Sequence, residues 1–436
     1  MIRQFSVSLT AGVFAVGALA APWSAAAPSP GPATTCGGET ATLVGSAGDD
    51  TLTGTPGRDV IVTNGSHTVD AGDGDDLVCI TGATREVLAG PGDDDVRGQQ
   101  TRGDADDVSI WLDSGSDTFV GGELAEYVGA DPTLGETDEP DVIRTGGGPD
   151  GVSAGISGTP LVDVISLGAG NDEVDLDSRV ASSSFQLSGG AGADQLAWSQ
   201  GIRDGWGAVG WTIDNRSARG TAATGGTGRS ERMAWTSFER FRLDARVGWT
   251  DFLGGDRGEW LDARRLRSVD LGGGNDLLAP SWHFDDARFT GGSGRDSFKF
   301  MACRGNATLN LAAGTYVCTN PDDEASLGGF EEAVTTGRDV RMQGTDGADR
   351  LVAHPSCDAT VRAGGGDDVV RVHGPVRNCG SATPPAGAQV FGGAGDDTIA
   401  GWRRSDLLIG GSGTDLANGR GGDDRCVAER RVNCES

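Results

Sequence analysis

The sequence predicts an all-β chain folded as a parallel solenoid, a β-roll or β-helix, and three observations lead to this prediction. Units of nine residues recur in phase between residues 392 and 427. Related units lie 17 to 22 residues apart over most of the remaining chain. The 74 glycines and an aromatic content of 6% do not suit one large globular core, whereas a solenoid grows in one direction by stacking similar coils.

The clearest units follow one another from residue 392 and read GGAGDDTIA, GWRRSDLLI, GGSGTDLAN and GRGGDDRCV. Each has Gly at its first position, Asp at its sixth, and an apolar or small residue at its eighth. The glycines permit a tight turn with positive φ, and the last three residues can form a strand whose middle side chain points inward. Two units make one coil, so alternate turns stack and can hold a cation between them. Calcium suits such turns because it accepts both carboxylate and carbonyl oxygens.

This pattern resembles the RTX, or haemolysin-type, calcium-binding repeat, whose fold is a parallel β-roll. The resemblance implies that Asp397 and Asp415 line one edge of the roll, one full coil apart. It also implies carbonyl ligands from four glycines of the same two turns, namely Gly393, Gly395, Gly411 and Gly413. The cofactor implied is therefore Ca²⁺.

The opposite edge is implied to hold Asp406 and Asp424. The unit at residue 401 departs from the pattern, because Trp402 and Arg404 replace glycines at its second and fourth positions. This departure weakens the expectation of calcium on that edge. Several units also carry an acidic residue at the fifth position, which we expect to be solvated rather than bound to metal: Asp49, Asp75, Asp93, Asp367, Asp396 and Asp423.

Similar units predict two calcium-repeat segments, residues 40–196 and 251–427. Asp50 and Asp59 are nine residues apart, so we expect them on opposite edges. The expected sixth-position ligands outside the tandem block are Asp50, Asp59, Asp76, Asp94, Asp172, Asp194, Asp276, Asp296, Asp349 and Asp368. Weaker units place the same position at Asp117, Asp150 and Glu259.

Residues 197–250 lack the motif but hold five of the ten tryptophans. We interpret them as solenoid coils without calcium turns. Two alternatives stay open, an aromatic platform for a ligand such as a glycan and a separate inserted domain. The alternating pattern between residues 238 and 243 predicts a strand with Phe238, Arg240 and Arg242 on one side.

Residues 1–27 are predicted to be a secretory signal peptide, because Arg3 precedes an apolar run that is followed by small residues suitable for cleavage. The run is too short to favour the alternative, a membrane anchor. Residues 28–39 are expected to form a linker and residues 428–436 a C-terminal cap. Together these features predict a secreted, extracellular protein with no membrane span once the signal is removed.

The net charge limits the classes of binding partner, and the cysteines indicate the redox compartment. A net charge of −29 argues against nucleic acid and anionic membranes as partners and suits a chain that binds cations. Eight cysteines in an exported chain indicate disulfides. Among the possible pairings we predict those between near neighbours in the sequence: Cys36–Cys79, Cys303–Cys318, Cys357–Cys379 and Cys426–Cys434.

The expected function is that of a calcium-binding structural or interaction module without catalytic activity. A cell-surface or glycan partner is compatible with it, but the sequence identifies none. One alternative is a calcium-dependent β-helix enzyme that cleaves acidic polysaccharides with a central arginine, for which the candidates are Arg240, Arg242, Arg264 and Arg265. Another is a repeat block that serves only as a C-terminal secretion signal, against which the N-terminal signal and the chain-long repeats argue.

Overall fold

The structure is a computed structural model in which part of the chain is described. The described residues are 35–98, 107–130, 139–155, 160–177, 180–181, 184–199, 210–217, 219–225, 232–244, 248–281, 284, 286–320, 322–374 and 387–435. The predicted signal peptide and residues 28–34 of the predicted linker lie outside them. Within these ranges every regular element is a strand, and no helix there is long and apolar enough to cross a membrane.

The strands are short, as expected for nine-residue units of which six residues form a turn. The first are β1 (Thr35–Cys36), β2 (Glu39–Thr40), β3 (Leu43–Val44), β4 (Thr51–Thr53), β5 (Val60–Val62), β6 (Thr68–Asp70), β7 (Leu77–Cys79), β8 (Glu86–Leu88), β9 (Asp95–Arg97), β10 (Val108–Trp111), β11 (Thr118–Val120), β12 (Glu126–Gly129), β13 (Val142–Arg144) and β14 (Gly151–Ala154).

The central strands are β15 (Pro160–Leu161), β16 (Val164–Ala169), β17 (Glu173–Leu176), β18 (Val180–Ala181), β19 (Gln186–Ala191), β20 (Gln195–Ser199), β21 (Gly210–Asp214), β22 (Arg219–Gly225), β23 (Arg232–Thr236), β24 (Arg240–Asp244), β25 (Thr250–Leu253), β26 (Trp260–Ala263), β27 (Leu266–Asp270), β28 (Gly273–Gly274) and β29 (Leu277–Pro280).

The last strands are β30 (Ala287–Thr290), β31 (Ser293–Gly294), β32 (Ser297–Phe300), β33 (Ala307–Asn310), β34 (Thr315–Thr319), β35 (Asp322–Gly328), β36 (Glu332–Gln343), β37 (Arg350–Gly365), β38 (Val369–Val372), β39 (Ala388–Ala394), β40 (Thr398–Ala400), β41 (Leu407–Ser412), β42 (Leu416–Asn418), β43 (Arg425–Val427) and β44 (Arg430–Val432).

The main strands form two faces of one parallel solenoid, which confirms the predicted fold. Face two is parallel throughout and runs β4, β6, β8, β10, β12, β14, β17, β20, β24, β26, β29, β32, β36, β37, β38, β40, β42 and β44. Face one begins with β3, β5, β7, β9, β11, β13, β16 and β19 and ends with β39, β41 and β43. Strands β36 and β37 are long because each passes from face two to face one.

Two antiparallel meanders interrupt face one, and the sequence did not predict the first of them. Strands β23, β22 and β21 pair antiparallel between β19 and β25. Strands β35, β34 and β33 do the same between β30 and β36. Residues 197–250 thus include an antiparallel excursion instead of uninterrupted parallel coils.

The core is a column of inward side chains from the middle of each strand. In the tandem block the eighth-position residues Ile399, Leu408, Ala417 and Cys426 are all buried, as the alternation predicts. Aromatic residues fill the second meander, where Tyr316 contacts Phe298 and Phe300 edge-on.

Disulfides staple both ends and the second meander. The predicted pairs Cys36–Cys79, Cys303–Cys318 and Cys426–Cys434 are present. Cys357 is also disulfide-bonded, and its predicted partner, Cys379, lies outside the described residues. Oxidised cysteines agree with the prediction of a stapled solenoid.

Candidate metal centre

The residue just before each strand, the sixth of its unit, lies at one of two edges of the solenoid. We call the turns that lead into face one the first edge, and the turns that lead into face two the second edge. Asp406 and Asp424 precede β41 and β43 and lie on the first edge, whereas Asp397 and Asp415 precede β40 and β42 and lie on the second. This is the division that the nine-residue spacing predicts.

Acidic residues at these positions form five ladders along the edges. In each ladder the sixth-position N–H of one coil donates a hydrogen bond to the carboxylate of the next coil, at 2.6 to 3.2 Å. The first-edge ladders are Asp59–Asp76–Asp94–Asp117–Asp141–Asp163 and Asp406–Asp424–Glu435. The second-edge ladders are Glu126–Asp150–Asp172–Asp194–Glu239, Glu259–Asp276–Asp296–Glu331 and Asp349–Asp368–Asp397–Asp415–Glu429.

The ladders leave a set of buried carboxylate oxygens without a hydrogen-bond partner. Among the described residues these include Oδ2 of Asp76, Asp94, Asp117, Asp150, Asp172, Asp194, Asp276, Asp296, Asp368, Asp397, Asp415 and Asp424. A buried charged oxygen without a partner costs free energy, and native structures rarely tolerate it unless an ion or water completes the site. Because the same carboxylate oxygen recurs from turn to turn, these atoms form a regular set of donors that would suit a cation between stacked turns.

Burial also changes the ionisation of these groups. Loss of water around the charged form raises the pKa of Asp94, Asp117 and Asp172 to about 7, although the donated N–H partly offsets the effect. The pKa of Glu126 rises to about 8 for the same reason. Asp59 is the exception: burial opposes ionisation there too, but hydrogen bonds from Thr55 and Thr42 outweigh it and lower its pKa.

The glycines of the motif are required by close approach to these carboxylates and to neighbouring turns. A Cβ at Gly410, the first position, would lie 2.2 Å from Oδ2 of Asp415. Gly411, the second position, has a φ of 127° and would place a Cβ 2.0 Å from the carbonyl oxygen of Gly393 in the coil before. First- and second-position glycines therefore let the carboxylate fold back on its own turn and let consecutive turns stack in contact.

The structure brings most predicted site residues together and leaves Asp50 apart. Asp50 is exposed. The N–H of Thr68 donates a hydrogen bond to its carbonyl group, which places His67, and not an acidic residue, at the same position of the next coil. A carboxylate without an acidic neighbour one coil away lacks the stacked arrangement of the ladders. All other predicted aspartates belong to a ladder, and so do Asp117, Asp150 and Glu259 of the weaker units.

Sequence reasoning missed several ladder members that lack the glycine motif. They are Glu126, Asp141, Asp163, Glu239, Glu331, Glu429 and Glu435. For Asp141, Asp163, Glu239, Glu331 and Glu429 the available signal was an acidic residue directly before a strand, which is weaker than the full motif. Glu126 is the first residue of β12, and Glu435 follows β44. Four of the five ladders end on one of these glutamates.

The backbone hydrogen bonds of Glu239 and Glu331 explain why two ladders end at these residues. The N–H of Glu239 donates to the carbonyl of Asp194 in the coil before, and the N–H of Glu331 donates to that of Asp296. These N–H groups point backwards, so they are not offered to the carboxylate of the next coil. Both side chains are partly exposed, and the guanidinium of Arg257 pairs with the carboxylate of Glu239.

The fifth-position residues form a second series of hydrogen bonds on the outside of the turns. Here the N–H of the later coil donates to the carboxylate of the earlier coil, the reverse of the direction in the ladders. The N–H of Asp396 donates to the side chain of Asp367 at 2.8 Å, and the N–H of Thr414 donates to that of Asp396 at 2.7 Å. Asp93 and Asp75 make the same contact at 3.1 Å. These carboxylates are exposed, so they cap the turn of the next coil while their charge stays in water.

The tryptophans of the central segment are mostly core residues, which argues against an aromatic platform. Trp198, Trp211 and Trp235 are buried, and the indoles of Trp198 and Trp211 pack edge-on. Trp249 is half-buried beneath the guanidinium of Arg267. Trp206 lies outside the described residues.

Two of the four central arginines proposed for catalysis are held by the chain's own carboxylates. Arg242 pairs with Glu173 at 2.7 Å and Arg264 with Asp244 at 3.1 Å. Arg240 and Arg242 share the exposed side of β24, as predicted, but Phe238 does not. Phe238 precedes the strand and is buried, so that part of the prediction was wrong.

The donor set of the ladders fits calcium. The groups available in the turns are carboxylates and backbone carbonyls, which are the hard oxygen ligands that calcium prefers. No three His, Cys, Asp or Glu side chains converge on one point within the described ranges. A cation between two coils would therefore take one or two carboxylates and complete its coordination with carbonyls.

Comparison with known families identifies the repeats. The model of the RTX calcium-binding nonapeptide repeat matches the chain in four copies, over residues 37–68, 102–123 and 391–426. The third range covers the tandem block up to its last residue but one. No curated protein matches the chain.

Proposed function

We propose that this RTX-type calcium-binding repeat protein is a secreted, non-catalytic module whose solenoid is completed by calcium bound along its two edges. The ladders of buried carboxylates support the proposal most directly. Each carries oxygens that have no hydrogen-bond partner within the described residues and that face stacked glycine turns. Calcium would supply these oxygens with a partner and neutralise their repulsion.

The proposed ligands are the sixth-position carboxylates of the ladders together with turn carbonyls. In the tandem block they are Asp397 and Asp415 with the carbonyl groups of Gly393, Gly395, Gly411 and Gly413. The other glycine-rich turns of the ladders are proposed to act in the same way: Asp76, Asp94, Asp172, Asp194, Asp276, Asp296, Asp349, Asp368 and Asp424. Asp50 is not retained, because no acidic residue lies at its position in the next coil.

Folding is expected to be coupled to calcium. Without the metal, buried carboxylates repel one another and glycine turns lose much conformational entropy on ordering. Circular dichroism of the full mature chain should therefore show strand gained when calcium replaces EDTA, with magnesium as the matched control ion. Identical spectra in EDTA and in calcium would contradict the proposal.

The non-catalytic role is tested separately. The ion pairs of Arg242 and Arg264 leave these residues less suited to bind an acidic substrate. Incubation of the calcium-loaded protein with a panel of polyuronates should yield no new reducing ends or unsaturated products. Cleavage that disappears in an Arg240→Ala variant would establish the enzyme alternative instead.

A further inference from the structure

Each of the five ladders opens on a turn that differs from the turns after it. In the opening turn, the N–H of the second position donates a hydrogen bond to the sixth-position carboxylate of the same turn. These pairs are Thr55–Asp59, Gly122–Glu126, Gly255–Glu259, Thr345–Asp349 and Trp402–Asp406. The recurrence in all five ladders, with three different residue types at the second position, marks it as a property of the opening turn.

Asp59 illustrates the opening turn on the first edge. Its Oδ2 accepts the N–H and the hydroxyl of Thr55 at 2.7 and 2.9 Å, and its Oδ1 accepts the hydroxyl of Thr42 at 2.9 Å. In the next coil, Oδ1 of Asp76 accepts the N–H of Asp59 at 2.7 Å. Oδ2 of Asp76 is buried and has no partner among the described residues. Asp59 is thus satisfied by the chain, whereas Asp76 is not.

Asp406 repeats this arrangement in the tandem block. Its Oδ1 accepts the N–H of Ala388 at 2.6 Å and its Oδ2 accepts the N–H of Trp402. The indole of Trp402 is buried and donates to the carbonyl of Gly374 at 2.9 Å, which fixes the turn. Asp424, one coil later, has the unpartnered Oδ2 of the inner turns. Trp402 therefore replaces the motif glycine without loss of the N–H that satisfies Asp406.

The opening turns of the second edge are capped on one oxygen only. Glu126 and Glu259 accept the turn N–H on Oε1, at 2.8 and 2.9 Å, and their Oε2 atoms are buried without a partner in the described part of the chain. Asp349 likewise keeps an unpartnered Oδ1. Each of these three carboxylates thus keeps an oxygen without a hydrogen bond, whereas both oxygens of Asp59 and of Asp406 accept at least one.

We infer that the chain closes the opening turn of every ladder with its own N–H, and that Asp59 and Asp406 are not calcium ligands although their motif position matches. The inference deepens the proposed function and rests on it where calcium is counted. The opening turns of Asp59 and Asp406 then form without metal, because hydrogen bonds from the chain already offset the burial of both carboxylate oxygens. The inner turns need calcium to complete them.

The test compares neighbours of one ladder in the full mature chain. Asp59→Asn and Asp406→Asn are matched with Asp76→Asn and Asp424→Asn, and bound calcium per chain is measured by equilibrium dialysis. We expect the first two variants to bind as much calcium as the unaltered chain and the second two to bind less. In EDTA, Asp76→Asn should raise the melting temperature, because it removes a buried charge, whereas Asp59→Asn should not.

The results separate this inference from the proposed function. A loss of calcium in Asp59→Asn equal to that in Asp76→Asn overturns the inference. If the unaltered chain binds no calcium, the proposed function fails, but the melting temperatures in EDTA still test the inference. An equal rise in melting temperature for Asp59→Asn and Asp76→Asn overturns it. Should Asp59→Asn not fold, Thr55→Val removes one donor to Asp59 and keeps the N–H. It should lower the melting temperature in EDTA without changing the calcium number, and a changed number overturns the inference.

Discussion

At the scale of single residues, aspartates in the same motif position are not equivalent. Asp415 has a buried Oδ2 without a partner among the described residues, whereas both oxygens of Asp406 are hydrogen-bonded. We expect Asp415→Ala to lower calcium affinity more than Asp406→Ala, because only the former removes an oxygen that lacks another partner. Isothermal titration of both variants measures the difference. Equal losses, or a larger loss for Asp406→Ala, would show that the two edges bind calcium alike.

The sequence predicts which residue occupies the sixth position of a turn, but not whether the carboxylate oxygens of that residue have hydrogen-bond partners. In-phase glycines identify the turn because a Cβ is excluded there, at Gly410 by the side chain of Asp415 and at Gly411 by the backbone of Gly393. Whether the carboxylate is satisfied depends on donors from distant residues, such as Thr42 for Asp59. Asp50 matches the motif and is therefore predicted to be a ligand. The motif does not show that His67, and not an acidic residue, lies at the same position of the next coil.

At the scale of elements, the meanders keep face one continuous where the chain leaves the parallel path. Strand β33 lies parallel to the second half of β36 and antiparallel to β34. Alternation of apolar and polar residues predicts a strand but not the direction of its partner, because side chains alternate in both kinds of sheet. The pattern in residues 197–250 therefore does not distinguish an antiparallel meander from solenoid coils.

The Cys303–Cys318 disulfide is expected to stabilise the second meander. It closes a 15-residue loop, and loss of such a crosslink costs on the order of 3 kcal/mol in the chain-entropy account. A Cys303→Ala/Cys318→Ala variant should therefore show a clearly lower melting temperature in calcium, measured by calorimetry. The matched control is Cys426→Ala/Cys434→Ala, which opens an 8-residue loop at the chain end. A larger effect for the control would contradict the argument.

At the scale of the whole molecule, the ladders make stability depend on pH and calcium together. The pKa of Asp94, Asp117 and Asp368 is raised by burial to about 7, well above the ordinary value in an unfolded chain. A raised pKa means that the folded state binds protons more tightly than the unfolded state. In the absence of calcium, the contribution of these groups is therefore fully present below the unfolded pKa and is lost as the pH rises through the folded values.

We thus expect the calcium-free chain to melt at a higher temperature at about pH 5 than at about pH 8. Calcium binds the deprotonated carboxylate, so saturation with calcium should raise the melting temperature most at the higher pH and should reduce or reverse this slope. The exposed ion pairs, such as Arg58–Glu39, change stability little over this range because water screens them. Thermal melts at both pH values, in EDTA and in calcium, measure the two slopes. A calcium-free melting temperature that increases with pH would mean that the ladder carboxylates are not buried as charged groups in the folded chain.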